Sequence, residues 1–211
     1  MKNKALRDDL ALISEWIPPY SRVLDLGCGR GDLLLHLQNQ GAQSYGLDID
    51  PNNIATCIER GLQVIQTDLD EGLRDFDDHS FDVVVLTQTL QALQRPDQLL
   101  AEMLRVGRRV IVTFPNFGHW RVRWALLRGQ MPVTPSLPER WYDTPNIHFC
   151  TVTDFESLCH ERGWPIVRRA LMSRHLKDRA WWPNLFSEVA MYELSGRSGE
   201  PALGNEVRFV L

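Results

Sequence analysis

Apolar residues along this chain fall alternately into short runs and into stripes at helical spacing. Leu6, Leu10, Ile13 and Ile17 lie on one face of a helix over 4–17, which Pro18-Pro19 stops. Val23, Leu24 and Leu26 form a short buried strand, and Leu33, Leu34, Leu35 and Leu37 make the helix after it apolar. The pattern then repeats. Strands are predicted at 44–48, 62–66, 81–86 and 108–114, with helices between them, one opening at Asp50-Pro51 and one over 98–105. The run FDVVVL at 81–86 is continuous and β-branched, as expected of a strand covered on both faces. Farther on, Thr153 and Glu156 read as a capping box, and strands follow at 166–172 and 188–194. Strands alternating with helices predict an α/β fold with a mainly parallel sheet.

Composition narrows the setting. A chain of 211 residues is long enough for one α/β domain, and a net charge of −4 gives no general attraction to nucleic acid or to an anionic membrane. Cys28, Cys57, Cys150 and Cys159 show no CxxC spacing, which predicts reduced thiols and a cytoplasmic protein. No apolar run is long enough to span a bilayer. The six histidines form no HExxH or Cys/His group, so no metal site is expected.

The candidate chemistry begins at VLDLGCGRG, residues 23–31. Asp25 ends the strand, and Gly27, Gly29 and Gly31 follow at every second position. Alternating glycines let the backbone approach a ligand, and the following helix points its free N–H groups over the loop. A dinucleotide loop needs G-x-G-x-x-G, but Asp32 stands where that spacing fails. Asp25 would repel a diphosphate and suits a ligand carrying an ammonium group. Asp48, at the end of the second strand, lies where acids bind ribose hydroxyls in nucleotide-binding βαβ units.

D-x-G-x-G-x-G resembles motif I of the class I S-adenosylmethionine (SAM)-dependent methyltransferases. That resemblance implies a Rossmann-like, seven-stranded, mostly parallel sheet with an antiparallel last strand and helices on both faces. It implies SAM or S-adenosylhomocysteine (SAH) held by Asp25, Gly27, Cys28, Gly29, Gly31, Asp48 and Ile49. Asp68 and Leu69 match the positions that meet adenine, and Thr87 and Gln88 follow strand four beneath the methyl group. The segments LTQTLQAL (86–93), VTFPNFGHWRVR (112–123) and RWYDTPNIHFCTVTDF (140–155) are similar to the MetW family of methionine biosynthesis proteins.

On this reading residues 1–195 are one domain with a lid-like insertion over 115–150, and 196–211 are a loose tail. The family resemblance implies a partner, the homoserine O-acyltransferase MetX. Two functions stay open: a SAM-binding regulator of that partner, and a methyltransferase on a small acceptor. For the second, His119 and His148 are the candidate bases, and Asn116, Trp141, Asp143 and Asn146 the substrate-facing groups. They are expected in one cavity. Trp181 or Trp182, adjacent and hard to bury together, is the expected docking residue, whereas Trp124 and Phe186 are expected to pack inside.

Overall fold

Strand β1 (Arg22–Leu26) is the centre of the first part of the chain. The computed structural model describes residues 6–173 and 182–196, and the backbone of 207–210. Two compact units emerge: residues 1–87 with 97–111, and residues 88–96 with 112–211.

In the first unit, helix α1 (Asp8–Trp16) buries Leu10, Leu12, Ile13 and Trp16. Residues 6 and 7 precede the helix rather than extend it, while 4 and 5 lie outside the described residues. Asp8 and Asp9 favour a start there, since acids complement the positive end of a helix. Arg7 pins that start by donating to both carboxylate oxygens of Asp9 at 2.6 and 2.8 Å.

β1 leads to α2 (Asp32–Asn39), β2 (Gln43–Asp48), α3 (Pro51–Glu59) and β3 (Gln63–Gln66). β4 (Phe81–Thr87), α4 (Pro96–Val106) and β5 (Gly107–Pro115) follow. The strand order in this unit is β3-β2-β1-β4-β5. β1 pairs in parallel with β2 and β4, which sets Asp25 opposite Gly46 on one side and Val85 on the other. Each α/β crossover returns the chain to the same edge, so the carboxyl ends of β1 and β2 lie together.

The second unit continues from β5 with α5 (Trp120–Leu127), α6 (Val152–Arg162), β6 (Ile166–Met172), α7 (Pro183–Phe186) and β7 (Val189–Ser195). Its strand order is β5-β7-β6-β8, with β7 antiparallel to β6 as expected. Phe114, Phe155 and Tyr192 form its aromatic core, with ring centroids 4.7–6.0 Å apart.

Two expectations need correction. The segment read as a loose tail holds an eighth strand, β8 (Val207–Val210), parallel to β6. Its sequence VRFV is β-branched and aromatic, a short run that a search for long periodicity passes over. The cap of α6 is Thr151, not Thr153: Thr151 Oγ1 accepts from Asp154 N–H and donates to the Asp154 carboxylate. Thr153 instead accepts a hydrogen bond from Asn184 Nδ2 at 2.9 Å.

Candidate cofactor site

The loop after β1 is fixed by its neighbour strand. The N–H groups of Gly27 and Cys28 both donate to Leu47 O, at 2.8 and 2.9 Å. Gly27, Gly29 and Gly31 all have positive φ, a conformation that a Cβ penalises. The last two differ in surroundings. A Cβ on Gly31 would collide with Leu62 and Cys57, so Gly31 serves packing. A Cβ on Gly29 would meet nothing within 4 Å, so the space over Gly29 is open.

Asp48 braces this open turn. Its Oδ2 accepts from Gly29 N–H at 2.7 Å, and Oδ1 accepts from Asp50 N–H at 2.9 Å and Asn53 Nδ2 at 3.2 Å. Asp50 caps α3 as expected, accepting from Asn52 N–H. Asp25 is different. It is 2% exposed, and its Oδ1 is buried with no hydrogen-bond partner. Burial, with the Asp48 charge second, pushes its pKa up to about 7, while the Arg7 charge lowers it. A buried carboxylate oxygen with unused acceptor capacity beside an open glycine fits a cationic ligand group.

Burial raises the pKa of both Cys28 and Cys57, and Cys57 Sγ donates to Gly29 O at 3.3 Å. Cys28, expected among the cofactor-holding residues, packs in a cluster with Leu34, Cys57 and Leu62. Gly46 is needed for that cluster, because a Cβ there would reach Cys28 Sγ at 2.7 Å and Leu34 at 2.6 Å.

The other expected cofactor positions are placed as follows. Ile49, after β2, is exposed, and Leu69 is buried in a 3₁₀ turn. Asp68 caps that turn, its Oδ1 accepting from Asp70 N–H at 3.0 Å. Thr87 ends β4, and Gln88 has φ 48°, a strained value for a residue with a Cβ. Its N–H is held by Thr113 O at 3.0 Å. Sequence reading missed Arg7, Asn53 and Cys57 at this site. Asn53, one turn into α3 from its Asp50 cap, was the most findable.

In the second unit the expected substrate residues separate. Asn116 is 1% exposed, and both ends of its amide are engaged. Nδ2 donates to Asn184 O, Ser187 O and Ser187 Oγ at 2.8–3.1 Å. Oδ1 accepts from Gly118 N–H and Val152 N–H at 2.9 and 3.3 Å. Asn116 therefore ties the end of β5 to α6 and α7. His119 is 3% exposed, at the N-cap of α5. His148 is exposed, with Nε2 3.3 Å from Gln94 O, and its N–H donates to Gln91 O. Trp141 and Asn146 do share a cavity of about 30 Å³ with Phe117, Leu137 and Phe149, but Asn116, Asp143 and both histidines are not among its walls. The reason is that Asn116 and His119 are buried at the end of β5, whereas Asp143 and His148 sit on an exposed loop. Trp124, expected inside, is 52% exposed because α5 buries only Val122. Trp182 is 62% exposed, and Trp181 lies outside the described residues.

No helix among the described residues is long and apolar enough to cross a membrane. None of them gather into a group of three or more potential metal ligands.

This fold is that of the class I SAM-dependent methyltransferases. A crystal structure of a SAM-dependent methyltransferase from Archaeoglobus fulgidus superposes with a TM-score of 0.65 at 19% identity, covering 89% of this chain and 92% of that one. The magnesium protoporphyrin IX methyltransferase of Synechocystis PCC 6803, solved with bound SAH, superposes with a TM-score of 0.64 at 19% identity, over 90% and 82% of the two chains. The family is narrower than the fold. Residues 7–194 match the model of the methionine biosynthesis protein MetW, and the chain belongs to that family. It is 38% identical over 164 residues to the bifunctional methionine biosynthesis protein MetXA/MetW of Rhodopirellula baltica, a match covering 72% of this chain and 26% of that protein. The chain thus spans about a quarter of this longer relative.

Proposed function

We propose that this chain binds SAM or SAH at the Asp25–Gly29–Asp48 loop and acts with homoserine O-acyltransferase, setting that partner's activity by the state of the methionine pool. Asp25 receives the ammonium group of the ligand, and its ionised form is favoured as the cation arrives. Asp48 shares its carboxylate between the Gly29 N–H, as at present, and the ribose hydroxyls. Asp68 and Leu69 meet the adenine, with Thr87 and Gln88 beyond them. The single observation that carries the ligand reading is the buried, unpartnered Asp25 Oδ1 beside an open glycine turn. The partner reading is supported by the MetXA/MetW relative, in which the two names stand for one polypeptide. Fusion of two functions in one chain raises their effective concentration, which matters when they act together.

The alternative is methyl transfer from bound SAM to a small acceptor, catalysed mainly by positioning. It is favoured by one observation, the exposed imidazole of His148, which is reachable by an acceptor as buried His119 is not. Trp141, Asp143 and Asn146 would then line the acceptor's path.

The test is the activity of purified homoserine O-acyltransferase, measured alone, with this chain, and with this chain plus SAM or SAH. The proposal expects activation that responds to the ligand. Activity indifferent to the chain, with SAM turned over to SAH on an added acceptor, would favour the alternative. Trp182→Ala is expected to weaken association by about 2 kcal/mol, the hot-spot range, without changing SAH binding; a pull-down beside a calorimetric titration checks both.

A further inference from the structure

The second unit exposes an apolar strip that the cofactor loop does not use. Trp120, Trp124 and Leu127 stand at i, i+4 and i+7, on one face of α5, and are 42%, 52% and 80% exposed. The helix closes with Gly129 N–H bonded to Leu126 O and Gln130 N–H to Ala125 O. That turn delivers Met131 to the wall of an open cleft of about 760 Å³, whose other side chains include Val133, Arg140, Trp141 and Tyr142. Trp141 and Tyr142 are themselves exposed, with ring centroids 5.6 Å apart. Isolated exposed apolar residues need no explanation, but a helix face and the cleft that follows it in the chain, together exposing three tryptophans, mark an interaction surface.

Charge identifies what covers it. Residues 116–138 contain Arg121, Arg123 and Arg128 and no acidic residue, in a chain of net charge −4. Arg128 lies over the Trp124 ring at 4.8 Å and Arg121 over the Trp120 ring at 5.4 Å. On the cleft wall, Arg140 Nη1 donates to the Tyr142 hydroxyl at 3.2 Å. The α5 face is therefore apolar with a basic rim, and on the cleft wall Arg140 stands among the exposed acids Glu139 and Asp143, an apolar centre with a charged rim being the arrangement of a protein–protein contact. A second copy of this chain would set arginine against arginine in a two-fold contact. Nucleic acid would leave Leu127, Met131 and Val133 without a partner. A polypeptide with an apolar segment flanked by carboxylates satisfies both parts.

We infer that this strip, α5 with the adjoining cleft, is a docking surface for the acyltransferase polypeptide in addition to Trp182, taking such a segment along Trp124 and Leu127 and setting its carboxylates against Arg128 and Arg140. The inference rests on the partner reading above and adds the surface and its chemistry.

The experiment titrates the purified full-length chain with purified homoserine O-acyltransferase by calorimetry at two salt concentrations, using wild type, Trp124→Ala, Leu127→Ala and Arg128→Glu. Each variant alters an exposed side chain and should keep the wild-type melting temperature, which is measured alongside. Trp124→Ala and Arg128→Glu are expected to weaken association at least tenfold, Leu127→Ala less, and Arg128→Glu to flatten the salt dependence. Wild-type affinity in all three variants overturns this surface and leaves the partner reading standing. No binding by wild type overturns the partner reading and this inference with it. Binding of the wild-type chain to phosphatidylglycerol vesicles that Trp124→Ala abolishes, without any acyltransferase binding, would assign the strip to a membrane and overturn the proposal.

Discussion

Asp25 and Asn116 are both buried polar residues at the carboxyl end of a parallel strand, and they do opposite things. Asp25 in the first unit keeps a buried carboxylate oxygen without a partner, on the strand that leads into the open turn at Gly29. Asn116 in the second unit has used both amide hydrogens and both acceptor directions on its own chain. The amide can make about four hydrogen bonds, and these contacts already occupy them. Strand ends in open α/β sheets are where ligands bind, but position alone does not make a residue a ligand group. Unused hydrogen-bonding capacity does.

The largest effect that would break this contrast belongs to the glycines. Gly29→Val should abolish SAM and SAH binding, because the new side chain fills the open space, while the fold loses only about 1–2 kcal/mol for a Cβ at positive φ. Gly31→Val should do the reverse in emphasis and damage the fold itself, since its side chain strikes Leu62 and Cys57. Melting curves with and without SAH separate the two. If Gly29→Val binds SAH like wild type, the space over Gly29 is not the site.

Next in size is Asn116→Ala. It leaves the N–H groups of Gly118 and Val152 and the carbonyls of Asn184 and Ser187 without their partner. Stability should fall by about 3 kcal/mol, the range for several buried groups left unsatisfied. Urea denaturation measures it. A variant with wild-type stability would mean that Asn116 is free to face a ligand after all.

Asp48→Ala should weaken SAM by about 1.5–3 kcal/mol, the range for hydrogen bonds to a charged group, as read by calorimetry. The same change frees the Gly29 N–H, so the loop loses its brace as well as its acceptor.

The smallest effect is on pH. With the Asp25 pKa near 7, its carboxyl is mostly protonated in the unliganded fold at pH 6. Affinity for a cationic ligand should then rise by about tenfold from pH 6 to above 7.5 and level off, with a proton released on binding below pH 7. The stability effect has the opposite sign. A carboxyl raised in the folded state favours the fold most at low pH, and that contribution falls as pH rises from the ordinary carboxylate range through about 7. Asp25→Asn should therefore raise the unliganded melting temperature at pH 8 while losing the ligand. Calorimetry in buffers of different ionisation enthalpy counts the proton.

The two units also differ in how far their sequence declares them. D-x-G-x-G-x-G, the acid at Asp48 and the Asp50-Pro51 cap are local signals, each carried within a few residues, and the structure sets them around one turn. The second unit depends on distant partners. Nothing near Asn116 in sequence indicates Ser187 or Asn184, so its amide reads as available when it is not. Thr151 and Thr153 both precede an acid by three residues, and only the contact of Thr153 with Asn184 decides which one caps α6. Trp124, expected inside, is exposed because α5 buries a single side chain, Val122. Short β8 lacked the length that periodicity needs.

The most direct measurement is a calorimetric titration of the wild-type chain and Asp25→Asn with SAH, SAM and NAD at pH 8. The account predicts binding of SAH and SAM by wild type, no binding of either by Asp25→Asn, and no binding of NAD by either protein. NAD binding to wild type, or SAH binding that Asp25→Asn leaves unchanged, would contradict it.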